Sequence, residues 1–287
     1  MVAIELEAKV AERLNAFLRS GSTAIRSDHW SRYGGLSQIR IEGNHAVLSA
    51  GAGFDSEYEL SFRGPSLRER VGSAWRSLGG TNDLRRYRDA YSALWSEQPA
   101  EAYSPHQIIA QHYMRLLDSH RPQSYLEIGA GTGYLAALVY GKWQAPITVI
   151  DLPEILPFGF LYLHSRFPDV PFVLPHESGP AIFKFLLSGD SVPDNSIDLA
   201  VNTASFGEMR PEQIADYFRL LRRALKPKGL LFTVNRERKV MDGVPIRFAE
   251  YPWSHHDVDL LYEPSRLHAM TQPQNPMLVR LCHLAKP

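Results

Sequence analysis

Tyr125-Leu126-Glu127-Ile128-Gly129-Ala130-Gly131-Thr132-Gly133 is an apolar run that opens into three glycines, each two residues from the next. Glycine lets a backbone turn tightly and come close to a ligand, so the stretch reads as a strand that passes through a binding loop into a helix. The chain alternates on both sides of it. Pro105 is placed to start a helix over 106–119; strand 124–128 and helix 133–141 follow, then strand 147–150 and a helix over 156–167. Further strands are expected at 172–174, 197–201 and 230–234, with helix 211–225 stopped by Lys226-Pro227-Lys228-Gly229 and a last strand at 277–284. Five strands in βα order predict an α/β fold with a doubly wound, mostly parallel sheet over residues 105–287.

The glycines run G-x-G-x-G, whereas a dinucleotide fingerprint is G-x-G-x-x-G and would place its third glycine at Tyr134. Glu127 stands two residues before the first glycine, where it suits a ligand amine and would repel a pyrophosphate. Asp151 ends the next strand, 18 residues beyond Gly133, where a carboxylate takes the ribose hydroxyls of an adenosine. Two acids and three glycines point to S-adenosylmethionine, against a plain structural turn or a dehydrogenase site. His176 and Glu177, after the third strand, are placed to border the adenine.

These motifs resemble a class I S-adenosylmethionine-dependent methyltransferase over roughly residues 105–287. Ile150-Asp151-Leu152-Pro153-Glu154, Asn202-Thr203-Ala204-Ser205-Phe206-Gly207-Glu208-Met209 and Asn235-Arg236 are similar to the bacterial sugar O-methyltransferase family. The resemblance implies a Rossmann-like fold and transfer of a methyl group to a hydroxyl of a sugar or glycosylated metabolite. Expected cofactor contacts are Glu127, Gly129, Ala130, Gly131, Gly133, Asp151, Leu152 and Asn202, with His176, Glu177, Tyr103 and Gln107 closing around them. An alcohol is a poor nucleophile near neutral pH, so the acceptor pocket needs a general base. His255 or His256 is the first choice, since an imidazole is tuned for that range and Tyr251 and Trp253 beside it suit a sugar face. Glu208 is the rival base, and Ser205, Asn235 and Arg236 are expected to hold the acceptor. A non-sugar natural product or a carboxylate as acceptor is the nearer alternative; a nucleotide-binding oxidoreductase or a catalytically inactive cofactor-binding protein is the farther one.

The rest of the 287-residue chain bounds these readings. Thirty-one basic and thirty-one acidic residues give a formal charge of zero, so nothing calls for nucleic acid as partner. Cys282 is the single cysteine, which excludes an internal disulfide and fits the cytoplasm. No H-x-x-x-H or clustered aspartates suggest a metal, and Asp257 and Asp259 flank a helix-like run. The charged N-terminus does not read as a signal peptide, and no apolar stretch reaches the roughly 20 residues of a membrane span. Residues 1–104 are expected to be a mostly helical region covering the acceptor, with a helix over the first twenty residues, a hairpin turning at Gly43-Asn44 and helices within 66–95 broken at Gly79-Gly80. The expected partner is a small sugar-containing acceptor, and a homo-oligomer is left open.

Overall fold

The alternating residues of β2 (Gln38–Glu42) and β3 (His45–Ser49) pair as the hairpin the sequence predicts, turning at Gly43 with φ of 58°. The computed structural model describes residues 2–20, 38–49, 83–102, 104–241 and 243–286. The first twenty residues are not one helix. β1 (Val2–Glu5) adds to the hairpin in the order β1-β3-β2, and only Ala8–Arg19 forms the helix α1. Val10, Leu14 and Phe17 bury the apolar face of α1 in the main core, and Arg13 ties it down by donating to Glu177 at 2.8 Å with its guanidinium 4.0 Å from the Phe172 ring centroid. The Gly79-Gly80 break falls outside the described residues; α2 (Asp83–Trp95) is the helix after it.

From Ser104 the expected alternation holds. The Ser104 hydroxyl caps α3 (Pro105–Leu116) by accepting from the Gln107 N–H, with Pro105 in the first turn. Then come β4 (Tyr125–Ile128), α4 (Tyr134–Trp143), β5 (Ile147–Asp151), α5 (Leu156–Arg166), β6 (Phe172–Val173), β7 (Phe183–Leu187), β8 (Ile197–Thr203), α6 (Pro211–Ala224) and β9 (Leu225–Arg236). The hairpin β10 (Arg238–Met241) and β11 (Val244–Arg247), strand β12 (Val258–Pro264), α7 (Arg266–Thr271) and β13 (Met277–His283) complete the described chain. The sheet order is β12-β13-β9-β8-β4-β5-β7-β6, parallel from β6 to β9, with β13 antiparallel to β9 and β12 antiparallel to β13.

Residues along β4 divide between the two faces of this sheet: Tyr125 joins the core under α4 and α5, while Leu126 and Ile128 join the core under α6. That is the doubly wound arrangement, and it explains why the parallel strands are apolar in both phases. Chain order leaves β4 toward β5 and returns to β8 on its other side, so the crevice at the carboxyl ends of β4 and β8 is the switch point where ligands bind in such sheets.

Three strand assignments change. β7 lies between β5 and β6, and β12 is a strand where a helix-like run was expected around Asp257 and Asp259. β9 starts at Leu225 and runs through the expected helix stop. No helix among the described residues is long and apolar enough to cross a membrane.

Candidate cofactor and acceptor site

Gly129, Gly131 and Gly133 have φ of 72°, 57° and 75°, all left-handed, so the loop after β4 has the backbone that only glycine adopts at low cost. Gly133 caps α4, and a Cβ on Gly159 of α5 would lie 3.0 Å from the Gly131 carbonyl, so helix and loop meet at backbone distance. Asp151 fixes the loop from the side: its Oδ2 accepts from the Gly131 N–H at 2.9 Å and its Oδ1 from the Leu152 N–H at 2.8 Å. Glu127, Gly129, Ala130, Gly131 and Asp151 line a cleft of about 430 Å³, within the ~300–1,000 Å³ usual for small-molecule sites. Thr203, Ala204, Ser205, Glu208 and Arg236 line the same cleft, with Ser205 packed on Gly129. Gly133 and Leu152, expected as cofactor contacts, are not among the residues that line it.

Glu127 is 2% exposed, and its carboxylate accepts from the Tyr125 hydroxyl at 2.9 Å. Among the described residues no cationic side chain pairs with it. Burial therefore pushes its pKa up to about 8, with Asp151 adding to the rise. Burial also lifts Asp151 to about 7 against the two backbone bonds that favour its ionised form. Two buried acids without a countercharge fit a ligand that brings positive charge.

The structure separates the other expected site residues. Asn202 and Asn235 are fully buried and occupied with each other: Asn235 Nδ2 donates to Asn202 Oδ1 at 2.8 Å, Asn202 Nδ2 donates to the Ile128 carbonyl at 2.9 Å and to Ser205, and Asn235 Oδ1 accepts from the Gly207 N–H at 3.1 Å. They clamp the strand ends and do not line the cleft. His176 and Glu177 follow β6, which β7 separates from β5; Asp151 is registered with Leu187, and Glu177 is held by Arg13. Gln107 lies beside the lining residue His106 without lining the cleft itself. Tyr103 falls outside the described residues.

Tyr251 and Trp253 are packed with Phe206, Phe218 and Phe248 over α6, and the Trp253 indole donates to the Phe248 carbonyl at 2.8 Å. They offer no sugar platform in the cleft. The exposed His255 and His256 precede β12, whose first residue Val258 pairs with His283, and Asp257 next to them accepts from the Ala285 N–H and binds Arg222 near the end of α6. Antiparallel β13 reaches His283 at the amino ends of the parallel strands, so the two histidines lie at the opposite end of the sheet from the cleft. They are not the base. The double variant His255→Ala/His256→Ala is expected to keep wild-type kcat and cofactor affinity in a methyl-transfer assay; a loss of about 10²-fold or more in kcat with binding intact would reinstate them.

Sequence reasoning missed Ile109 and Tyr113 of α3, and His268 and Gln272 in and after α7, which line the same cleft together with His106. Ser265 is the N-cap residue of α7, so the signal available was a helix start at Ser265 three residues before His268. Among the described residues no group of three or more metal-ligating side chains comes together.

A family model described as a methyltransferase domain matches residues 100–269. The chain belongs to the methyltransferase-domain family. A search of curated proteins gives no match. Similar solved structures include the PH0226 protein from Pyrococcus horikoshii, 14% identical over 68% of this chain and 98% of that chain with a TM-score of 0.46. A TehB-like SAM-dependent methyltransferase from Corynebacterium glutamicum is 14% identical over 76% of this chain and 97% of that chain, with a TM-score of 0.41. The DhpI–SAH complex is 16% identical over 71% of this chain and 96% of that chain, with a TM-score of 0.42.

Family membership and the donor set of this methyltransferase domain agree on S-adenosylmethionine as the cofactor. The residues present fit it: Glu127, buried without a countercharge, would meet the ligand's positive charge, Asp151 has lone pairs left for ribose hydroxyls after its two backbone bonds, and the glycines would admit the ligand close to the main chain. When bound, the cofactor supplies the electrophilic methyl carbon.

This donor set has a pH signature. A positively charged ligand favours ionised Glu127 and Asp151, whose pKa values without it are raised to about 8 and about 7. Binding below those values must therefore expel protons, so affinity is present above about pH 8 and is lost as pH falls. Affinity for S-adenosylmethionine is expected to rise at least about tenfold from pH 6 to pH 8.5, with proton release seen as a buffer-dependent calorimetric enthalpy. A flat profile without proton release would show that these acids do not meet the ligand's charge.

Proposed function

We propose that this chain transfers the methyl group of S-adenosylmethionine to a hydroxyl of a small, sugar-containing acceptor, without nucleic acid or a membrane as partner. The observation that carries the reading is the lining of one cleft, which combines the buried acids Glu127 and Asp151 with Ser205, Glu208, Arg236 and His268. The buried acids suit a cationic nucleoside, and the hydroxyl, carboxylate, guanidinium and imidazole groups suit a polar acceptor. Glu208 is held by Lys239 at 2.7 Å, so it orients rather than roams. The segments Asn202 to Met209 and Asn235-Arg236, through which the chain resembles sugar O-methyltransferases, supply part of this polar lining: the buried asparagines fix the loop that carries Ser205 and Glu208.

A carboxylate acceptor is the second reading. It is favoured by one observation: Arg236 is exposed at the mouth, where it would pair with an acid. A pyrophosphate-bearing cofactor is disfavoured, since it would meet Glu127 and Asp151. The deciding experiment screens nucleotide sugars, free saccharides, glycosides and sugar acids with radiolabelled S-adenosylmethionine and then treats the products with alkali. Alkali-stable ethers support the proposal, alkali-labile esters support the second reading, and cofactor binding without transfer to any of these compounds counts against both.

A further inference from the structure

α3 and α7 bring two imidazoles to the cleft, His106 and His268, and the reading above gives neither a part in proton transfer. We propose that His268 takes the proton of the acceptor hydroxyl on Nε2, with Ser265 as the residue that positions it. This deepens the hydroxyl-methylation reading and rests on it.

His268 lines the cleft together with Ser205, Glu208 and Arg236, and with Glu127 and the glycine loop. Its Nδ1 lies 2.8 Å from the buried hydroxyl of Ser265, the N-cap residue of α7, whose side chain makes no capping bond to the helix. With Nδ1–H donated to Ser265, Nε2 is the ring nitrogen that carries the lone pair. The ring is only 5% exposed and stacks on Tyr113 at 6.2 Å and 23° between planes, while Tyr113 meets Phe232 edge-on at 5.7 Å. A base held by both a hydrogen bond and a stacked ring loses little orientation on reaction. Burial and the nearby His106 hold its pKa down to about 4, so the ring is neutral across the physiological range, at the expense of a lower proton affinity than a free imidazole has.

Its neighbours are less suited. His112 accepts the Trp95 indole N–H at 3.1 Å on Nδ1 and is enclosed between α2 and α3. Glu208 is paired with Lys239, which keeps a proton acceptor occupied. In the reaction the acceptor oxygen bonds to the methyl carbon while the C–S electron pair returns to sulfur, so the sulfonium becomes a neutral thioether. The hydroxyl proton moves to Nε2, and the resulting imidazolium returns it to water.

The test uses the full chain with UDP-glucose, UDP-N-acetylglucosamine, methyl glucoside and glucuronate as acceptors and tritiated S-adenosylmethionine as donor. His268→Ala and the closer mimic His268→Gln are expected to lower kcat for ether formation by about 10²–10⁴-fold while S-adenosylhomocysteine affinity stays within about threefold. Ser265→Ala should lower kcat by roughly tenfold, and Ser265→Thr should restore most of it, which a merely structural role in α7 would not require. Nitrogen NMR of the S-adenosylhomocysteine complex at pH 7 is expected to show Nδ1 protonated and Nε2 unprotonated in the wild type. Protonated Nε2 would overturn the proposal whatever the acceptor. Ether formation at the wild-type rate in both His268 variants would overturn it while leaving hydroxyl methylation standing. Alkali-labile esters alone, or no transfer to any of the four compounds, would remove the hydroxyl reading and the proposal with it.

Discussion

Gly129→Ala is expected to lower stability by about 2–5 kcal/mol, the sum of left-handed strain and overpacking, and to reduce S-adenosylmethionine affinity at least about tenfold. The residue sits at φ of 72°, where an L side chain is strained. A Cβ there would also lie 2.5 Å from the Cβ of Ser205 and closer still to its hydroxyl. Ser205 cannot swing away freely, because its hydroxyl donates to the Ile128 carbonyl at 3.2 Å and accepts from Asn202. The clash would therefore push the glycine loop out of register with Asp151. Thermal unfolding should show the loss as a fall of roughly 5–15 °C. Adding Ser205→Gly should return the steric part and leave the left-handed part, so the double variant is expected to recover about half of the lost stability. If Gly129→Ala melts and binds like the wild type, the packing of Ser205 on the loop is wrong; if Ser205→Gly recovers nothing, backbone strain alone is at work.

The loop and Asp151 were legible because their signals are local: glycines where the backbone must be left-handed, and an acid at the end of the adjacent strand. The alternation of strands and helices around them was legible for the same reason. β7 was not legible, because only nine residues separate Val173 from Phe183 and parallel strands normally need a crossover of about a dozen or more, usually helical. With β7 unrecognised, the residues after the third expected strand, His176 and Glu177, were assigned to the adenine, although β7 lies between β6 and β5. The histidine error has a different origin. Tyr251, Trp253, His255 and His256 adjoin in sequence, but the aromatic pair turns into the core over α6 while the chain continues to the amino end of the sheet. Asn202 and Asn235 show a third limit: a polar residue at a strand's end reads the same whether it faces a ligand or another buried amide. That they face each other depends on the parallel pairing of β8 with β9, which places Asn202 opposite Thr233 and within reach of Asn235.

Asp151→Ala is expected to weaken S-adenosylmethionine binding about 10- to 100-fold at pH 8, the loss of charge-assisted bonds worth roughly 1.5–3 kcal/mol. Both carboxylate oxygens already accept backbone N–H groups, from Gly131 and Leu152, so the substitution removes the loop's anchor as well as the acceptors facing the ribose. Asp151→Asn should fare little better. Its amide must turn an N–H toward one of those two backbone donors, and a donor facing a donor cannot bond. The penalty should shrink as pH falls through about 7, where the wild-type carboxyl itself becomes protonated. Stability without cofactor should change less than affinity, because removing a buried acid also removes its desolvation cost. Adenosine and 2′,3′-dideoxyadenosine separate the two roles. If Asp151 takes the ribose hydroxyls, the wild type should prefer adenosine strongly and Asp151→Ala should bind both equally. A preference that survives the substitution would place the ribose contact elsewhere and leave Asp151 as the anchor of the loop.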